Sequence, residues 1–119
     1  MKQVVFALVA EGKHIRRRKM PDKIGDVRYK GKALTIFQST YKGGRKAIYL
    51  MAGGLLFATL TVNLPAEPLE EGEFFVKNWS ENEEIAPWIL ENTEFFEDTG
   101  VAVVTGFVRA PIWRFKLEA

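Results

Sequence analysis

The sequence predicts an α+β domain, an antiparallel β meander of five to seven strands with one short helix. Short apolar stretches with alternating side chains indicate strands, and glycine pairs between them indicate tight hairpin turns. The connections are too short for the crossover helices that a parallel sheet requires. A chain of 119 residues suits one compact unit, so we expect a single domain over residues 1–119.

The first 26 residues divide into an apolar and a basic part. Residues 2–10 are rich in valine and predict a strand, because the stretch is shorter than a usual secretory signal. Residues 11–26 contain Gly12, Pro21 and Gly25, which indicate an irregular basic segment.

Two hairpins are predicted next. Residues 27–40 alternate as a strand does, and residues 41–45 contain the glycine pair of a hairpin turn. Residues 46–51 form the returning strand. A second turn at residues 52–54 leads into the clearest strand, residues 55–64. One of its predicted faces carries Leu56, Ala58, Leu60 and Val62, and the other carries Phe57, Thr59, Thr61 and Asn63.

The stretch "FVKNWSENEE", residues 75–84, joins a strand to a helix. Residues 74–79 predict the strand, which follows a proline- and glutamate-rich loop over residues 65–73. Ser80 and Glu83 have the spacing of a capping box, which predicts a helix over about residues 83–92.

The predicted helix packs on the sheet through Trp88 and Ile89. Residues 101–117 are again rich in strand-forming residues. Gly106 and Pro111 predict a bulge or an edge position in this last part of the meander.

The composition restricts the chemistry. The chain has no cysteine and one histidine, His14, which lies among cations without an evident partner for general-base catalysis. We therefore predict that the protein is not an enzyme and has no cofactor and no metal site. No apolar stretch is long enough for a membrane span, so we expect a cytoplasmic location and no membrane partner.

Charge is distributed unevenly along the chain. Residues 1–50 contain 13 Lys or Arg and 3 Asp or Glu, a net charge of +10, whereas residues 51–119 contain 4 and 12, a net charge of −8. Such a division predicts one positive and one negative surface. The alternative is that the halves neutralise each other across one folded domain.

The acidic half supplies the first candidate site. An acidic surface can mimic nucleic-acid phosphates and bind a basic groove on a protein partner. Its candidate residues are Glu67, Glu70, Glu71, Glu73, Glu81 and Glu84. Asn78 and Trp79, at the corner between strand and helix, are further candidates, because a partly exposed Trp is a preferred interface anchor. The alternative for Trp79 is burial in the core.

The basic half supplies the second candidate site. Clustered cations bind a nucleic-acid backbone by releasing counterions. The candidate residues are Lys13, Arg16, Arg17, Arg18, Lys19 and Lys30. The alternative is a solvated basic loop.

Half of the chain resembles an uncharacterised family of small bacterial proteins encoded on plasmids, integrative elements and prophages of Firmicutes. The similar parts lie in residues 55–115 and include "TVNLP", "EGE", "KNWSEN" and "EDTG" followed by "GFV". The resemblance implies an accessory protein of a mobile element. It brings no catalytic residues.

These observations lead to two hypotheses of function. The first is a non-enzymatic interaction protein that inhibits a host nucleic-acid-processing defence complex, such as a CRISPR effector or a restriction enzyme. The second is a nucleic-acid-binding module that uses the basic segment 13–32. The sequence specifies neither the partner nor the oligomeric state.

Overall fold

The computed structural model describes residues 22–116, which form two antiparallel sheets and one short helix. The predicted α+β fold class is confirmed. The described residues contain eight strands, one more than the upper end of the predicted range. The predicted strand over residues 2–10 and the first part of the basic segment lie outside the described residues.

The first sheet has its strands in chain order, β1-β2-β3-β4, so it is a simple meander. The strands are β1 (Asp22–Tyr29), β2 (Lys32–Thr40), β3 (Lys46–Ala52) and β4 (Leu55–Thr59).

The prediction of one strand over residues 27–40 is wrong, because the chain reverses at Lys30 and Gly31. Both residues have left-handed backbone angles, with φ values of 51° and 80°. This combination closes a two-residue hairpin between β1 and β2, and it is uncommon for lysine. The predicted irregular segment, residues 11–26, is wrong from Asp22 onward, because β1 begins at that residue.

The second sheet has the order β5-β6-β8-β7, so its last two strands are exchanged relative to the chain. The strands are β5 (Thr61–Val62), β6 (Glu73–Val76), β7 (Phe96–Thr105) and β8 (Val108–Phe115).

Leu60 divides the predicted strand 55–64 into β4 and β5 and joins the two sheets. Its amide N–H donates to the Ile48 carbonyl at 2.8 Å, and its own carbonyl accepts from the Lys77 amide at 2.7 Å. The fully buried Leu60 therefore belongs to the connection between the two sheets rather than to one continuous strand.

The hairpin of β7 and β8 contains the predicted irregularity. Asp98 pairs with Trp113 and Ala102 pairs with Pro111, so three residues of β7 face one residue of β8. The bulge lies beside Pro111, which has no N–H to donate to the ladder. Gly106 lies in the two-residue turn at the tip, with φ 58°.

The main core lies between the two sheets and beneath the helix. Phe74 and Phe96 contact each other edge to face, with ring centroids 5.5 Å apart, and Trp113 packs beside Phe96. From the first sheet, alternating residues of β2 and β3 enter this core. They are Leu34, Ile36, Ile48 and Leu50, each at most 1% exposed.

A second, smaller core lies on the other side of β6 and β8. Phe75, Ala110 and Ile112 form it, and Trp79 packs against it with residues of the loop before β6. Because both faces are covered, the last three residues of β6 are buried.

The helix α1 (Ile85–Asn92) follows a single 3₁₀ turn at Ser80–Asn82. Ile85 and Ile89 are buried, and Trp88 is half-buried with its ring edge to face on Tyr29 at 5.1 Å. Nothing helical in residues 22–116 has the length and apolar character that a membrane crossing needs.

The predicted capping box is wrong. Ser80 has a left-handed φ of 60° and lies in the 3₁₀ turn, and no side chain caps the N-terminus of that turn or of α1. Glu83 is exposed.

Candidate protein-binding groove

The described residues are slightly acidic as a whole. Residues 22–116 contain 11 Lys or Arg and 13 Asp or Glu, a net charge of −2. Most of the predicted basic site lies outside them, namely Lys13, Arg16, Arg17, Arg18 and Lys19. Of the candidate nucleic-acid-binding residues, Lys30 alone lies within residues 22–116.

The predicted acidic residues do not form one continuous cluster. Four of them lie in the loop before β6 or at its first residue: Glu67, Glu70, Glu71 and Glu73. The corner acids Glu81, Glu83 and Glu84 follow the other end of β6, around the 3₁₀ turn. The negative charge is thus divided between the two ends of this strand.

The loop acids next to the sheet are partly neutralised. Glu73 and Glu97 lie opposite Arg114 on the two strands that flank β8, and the Arg114 Nε donates to the Glu97 carboxylate at 2.6 Å. Glu97, and to a lesser extent Glu73 and Glu70, raise the pKa of Arg114. The Glu73 carboxylate also accepts the backbone N–H of Glu70 at 3.0 Å, so it orders its own loop.

At the corner, the Lys77 ammonium donates a hydrogen bond to the Glu81 carboxylate at 2.7 Å. Lys77 is the largest cause that lowers the pKa of Glu81 to about 2, and the backbone N–H of Glu81 and the Ser80 side chain contribute less.

Glu84 pairs with Lys30, which belongs to the opposite predicted surface. The hydrogen bond between them lowers the pKa of Glu84 and raises that of Lys30. The Lys30 ammonium also lies 5.4 Å from the centre of the Tyr29 ring, within the range of a cation–π contact. The predicted separation of positive and negative surfaces therefore fails here, because residues from both groups are in contact.

The corner acids surround an open groove of about 250 Å³. Tyr29, Phe57 and Ile85 form its apolar walls, and Ser80 and the corner acids form its polar rim. This volume lies below the roughly 300–1,000 Å³ of most small-molecule sites. The groove has room for about one large side chain.

A β-bulge places Phe57 in the groove. Leu50 pairs with Ala58 and Met51 pairs with Leu56, so Phe57 is the extra residue of β4. Bulges of this kind occur at sheet edges and redirect a side chain. Without the bulge, Phe57 and the buried Ala58 would point to opposite faces.

The edge of β4 beside the groove is exposed and apolar. Leu55 is 75% exposed, Leu56 61% and Phe57 40%. β4 is the last strand of its sheet, and no described strand pairs with its outer side. Three consecutive apolar residues on an open edge are a ready template for another strand.

Asn82 fixes the corner to the end of this edge. Its side chain is fully buried, and its amide donates to the carbonyls of Thr59 at 2.7 Å and Lys77 at 3.0 Å. The Asn82 Oδ1 has no hydrogen-bond partner. The corner acids are therefore held at a fixed position relative to β4.

The corner candidates Asn78 and Trp79 are both half-buried. Trp79 packs on the smaller core, on the other side of the second sheet from the main core. It therefore lies between the two alternatives given for it, since part of its ring packs internally and part contacts solvent. Neither residue lines the groove.

Within residues 22–116 no three His, Cys, Asp or Glu side chains lie close enough together to hold a metal ion.

Five residues of this groove were not among the predicted site residues: Tyr29, Phe57, Ser80, Glu83 and Ile85. The run "LLF" after two glycines was the one available signal for the exposed edge. A strand with one buried face leaves part of such a run exposed. The groove itself gave no signal, because its walls come from distant parts of the chain.

Comparison with known proteins gives no match to a family model, to a curated protein or to a solved structure. The resemblance to a family of mobile-element proteins therefore stays a prediction.

Proposed function

We propose that this protein is a non-enzymatic interaction module that binds an extended segment of a protein partner along β4 and in the adjoining groove. One observation carries the proposal: an open, apolar strand edge ends at a groove with aromatic walls and an acidic rim. Exposed apolar edges are costly in a free protein and are a common route of peptide recognition by strand addition.

The groove favours a cationic side chain. Glu83 forms no ion pair within residues 22–116, and Glu84 pairs only with the chain's own Lys30. Lys30 already combines a carboxylate with the Tyr29 ring, which is how a lysine or arginine of a partner would bind there. The proposed ligand is therefore an apolar strand with a basic residue at one end.

Asn82 limits the length of β4 along which a partner strand can pair. Its amide occupies the Thr59 carbonyl at the far end of β4, which leaves the backbone from Leu55 to Phe57 for pairing. A segment of three to five residues would use this length. Alternate side chains of that segment would then contact Leu56 or enter the groove beside Phe57.

The partner class is the finer part of the proposal. A surface that selects exposed basic residues fits proteins that bind nucleic acid, since their binding sites are rich in lysine and arginine. Together with the resemblance described above, this supports inhibition of a host nucleic-acid-processing defence complex. The alternative remains direct nucleic-acid binding by the basic segment 13–32.

A photo-crosslinking experiment tests the proposal. A photoreactive phenylalanine at position 57 is exposed to a nuclease-treated bacterial lysate, and the same group at Lys42, in the exposed β2–β3 loop, is the control. We expect position 57 to crosslink to one protein. Changing Glu83 and Glu84 to Lys should abolish this crosslink, whereas the same change at Glu70 and Glu71 should preserve it.

Two results would overturn the groove as the binding site. One is equal crosslinking from both positions, and the other is equal loss with both pairs of charge changes. If nucleic acid is the main species captured before nuclease treatment and no protein remains afterwards, the basic segment is the working surface.

A matched pair of lysine variants tests the role of Lys30. We expect Lys30→Asn to strengthen binding of the crosslinked partner about two- to fivefold, because it releases Glu84 from an exposed ion pair. Asparagine tolerates the left-handed backbone at this position, so the turn should be preserved. Lys32→Asn removes the same charge at the start of β2 and should have no effect. Weaker binding by Lys30→Asn alone would show that the ion pair builds the groove instead of competing for it.

A further inference from the structure

The tip of the β7–β8 hairpin is the most exposed apolar feature of the described residues. Phe107 lies in the two-residue turn and is 107% exposed, and Val104 is 73% exposed. Residues 99–108 contain no charged side chain. A protruding aromatic residue with apolar neighbours is typical of an interface anchor.

Arg109 adds a cation to this tip. It is exposed and pairs across the hairpin with Val104, so the two side chains lie on the same face. Arg109 forms no salt bridge within residues 22–116, in contrast to Arg114 on the same strand. The tip therefore carries an aromatic ring, a valine and a cation without a carboxylate partner.

This is the chemistry that the groove accepts. The groove has apolar walls from Tyr29, Phe57 and Ile85, and Glu83 on its rim has no ion pair among the described residues. Neither Phe107 nor Arg109 lines the groove, so the contact requires a second molecule. The tip thus offers an apolar ring and a cation, and the groove offers apolar walls and a carboxylate.

We propose that a second copy of this chain inserts Phe107 into the groove and places Arg109 against Glu83. The tip and the groove are different surfaces, so the association is heterologous, with the tip of one molecule in the groove of the next. The contact area is small, and small interfaces are typical of weak, reversible complexes. The inference rests on the groove of the proposed function, which self-association would occupy.

Sedimentation equilibrium on the purified full chain tests this. We expect the weight-average mass to rise above that of the monomer at concentrations of roughly 10–100 µM, the range of a weak interface. Phe107→Ser and Arg109→Glu should each remain monomeric there. Lys42→Glu changes the charge equally at an exposed loop and should associate like the unchanged protein.

Two complementation experiments identify the contact. Arg109→Glu and Glu83→Arg should each weaken association at least tenfold, and the chain with both changes should regain it. A mixture of Phe107→Ser with Glu83→Arg should form a one-to-one dimer, because one functional tip and one functional groove remain. Near-UV circular dichroism of every variant should match the unchanged protein, which excludes unfolding as the cause.

A monomer at all concentrations would overturn the inference, as would association that Arg109→Glu leaves intact. Neither result would affect the proposed function, because the crosslink at position 57 can be measured with the monomeric Phe107→Ser variant. Loss of that crosslink while self-association persists would instead contradict the proposed partner binding alone.

Discussion

The two sheets differ in whether the apolar residues outside the main core are covered. On the second sheet, Phe75 points away from the main core but is only 1% exposed, because Trp79 and the loop before β6 cover it. On the first sheet, Leu55 and Leu56 of β4 stay exposed beside the groove. One chain thus covers such residues with its own loop on one sheet, whereas among residues 22–116 no strand pairs with the outer side of β4 on the other.

The largest expected contrast is between two truncations to alanine. Phe75→Ala should lower the free energy of unfolding by about 3–5 kcal/mol, because it leaves a cavity in a closed core. Leu56→Ala should change it by no more than about 0.5 kcal/mol, as exposed positions do. Urea denaturation of both variants measures the difference. A loss above about 2 kcal/mol for Leu56→Ala would mean that the β4 edge is already covered.

Part of the fold could be predicted from the sequence. The glycine pair at residues 53–54 has the positive φ angles that its hairpin requires, and the alternation in β2 and β3 identifies buried Ile36 and Ile48. These features depend on neighbours in the chain, and local sequence reports them well.

The features that sequence did not predict depend on distant contacts. The groove brings Tyr29 next to Glu84, and nothing in either local sequence indicates the other. The turn at Lys30 was missed because lysine rarely adopts a left-handed φ. The Ser80–Glu83 capping box has the right spacing, but tertiary contacts hold Ser80 in a different conformation.

The next largest effect should come from the corner where the two sheets meet. In Asn82→Asp, a carboxylate oxygen replaces the side-chain NH₂ group that donates to the carbonyls of Thr59 and Lys77. A buried carboxylate then faces two carbonyl oxygens, and neither of them can donate a hydrogen bond. We expect a loss of about 3 kcal/mol or more at neutral pH. Burial raises the pKa of such a carboxyl above its unfolded value. The loss should therefore grow as the pH rises above about 4 and shrink below it.

Asn82→Ala is the matched control for this pH dependence. It loses the same two hydrogen bonds but adds no titratable group, so its destabilisation should not change between acidic and neutral pH. Thermal unfolding at several pH values distinguishes the two variants. If the destabilisation of both variants changed with pH in the same way, the carboxyl introduced at position 82 would not be buried against the Thr59 and Lys77 carbonyls.

The smallest expected effect concerns Glu81, on the exposed rim of the groove. Its pKa is lowered from 4.5 to about 2, so its pairing with Lys77 stabilises the fold above pH 4.5 and is lost as the pH falls toward 2. The stability difference between the unchanged protein and Glu81→Gln should therefore shrink over that range. The stability difference between the unchanged protein and Lys77→Gln should shrink over the same pH range. High salt should reduce the stability differences of both variants. A difference that stays constant down to pH 2 would contradict the pairing.

The strand order of the second sheet also has a consequence for the timing of folding. The first sheet consists of consecutive hairpins, whose local contacts form quickly. β6, in contrast, pairs with β8 across β7 and the whole of α1, so the loop between them must close first. During synthesis, Phe74 therefore lacks its neighbour Trp113 until residues 108–115 have left the ribosome. We therefore expect an interval in which the first sheet, whose contacts are local, lacks the layer that covers it, and in which its apolar face favours aggregation.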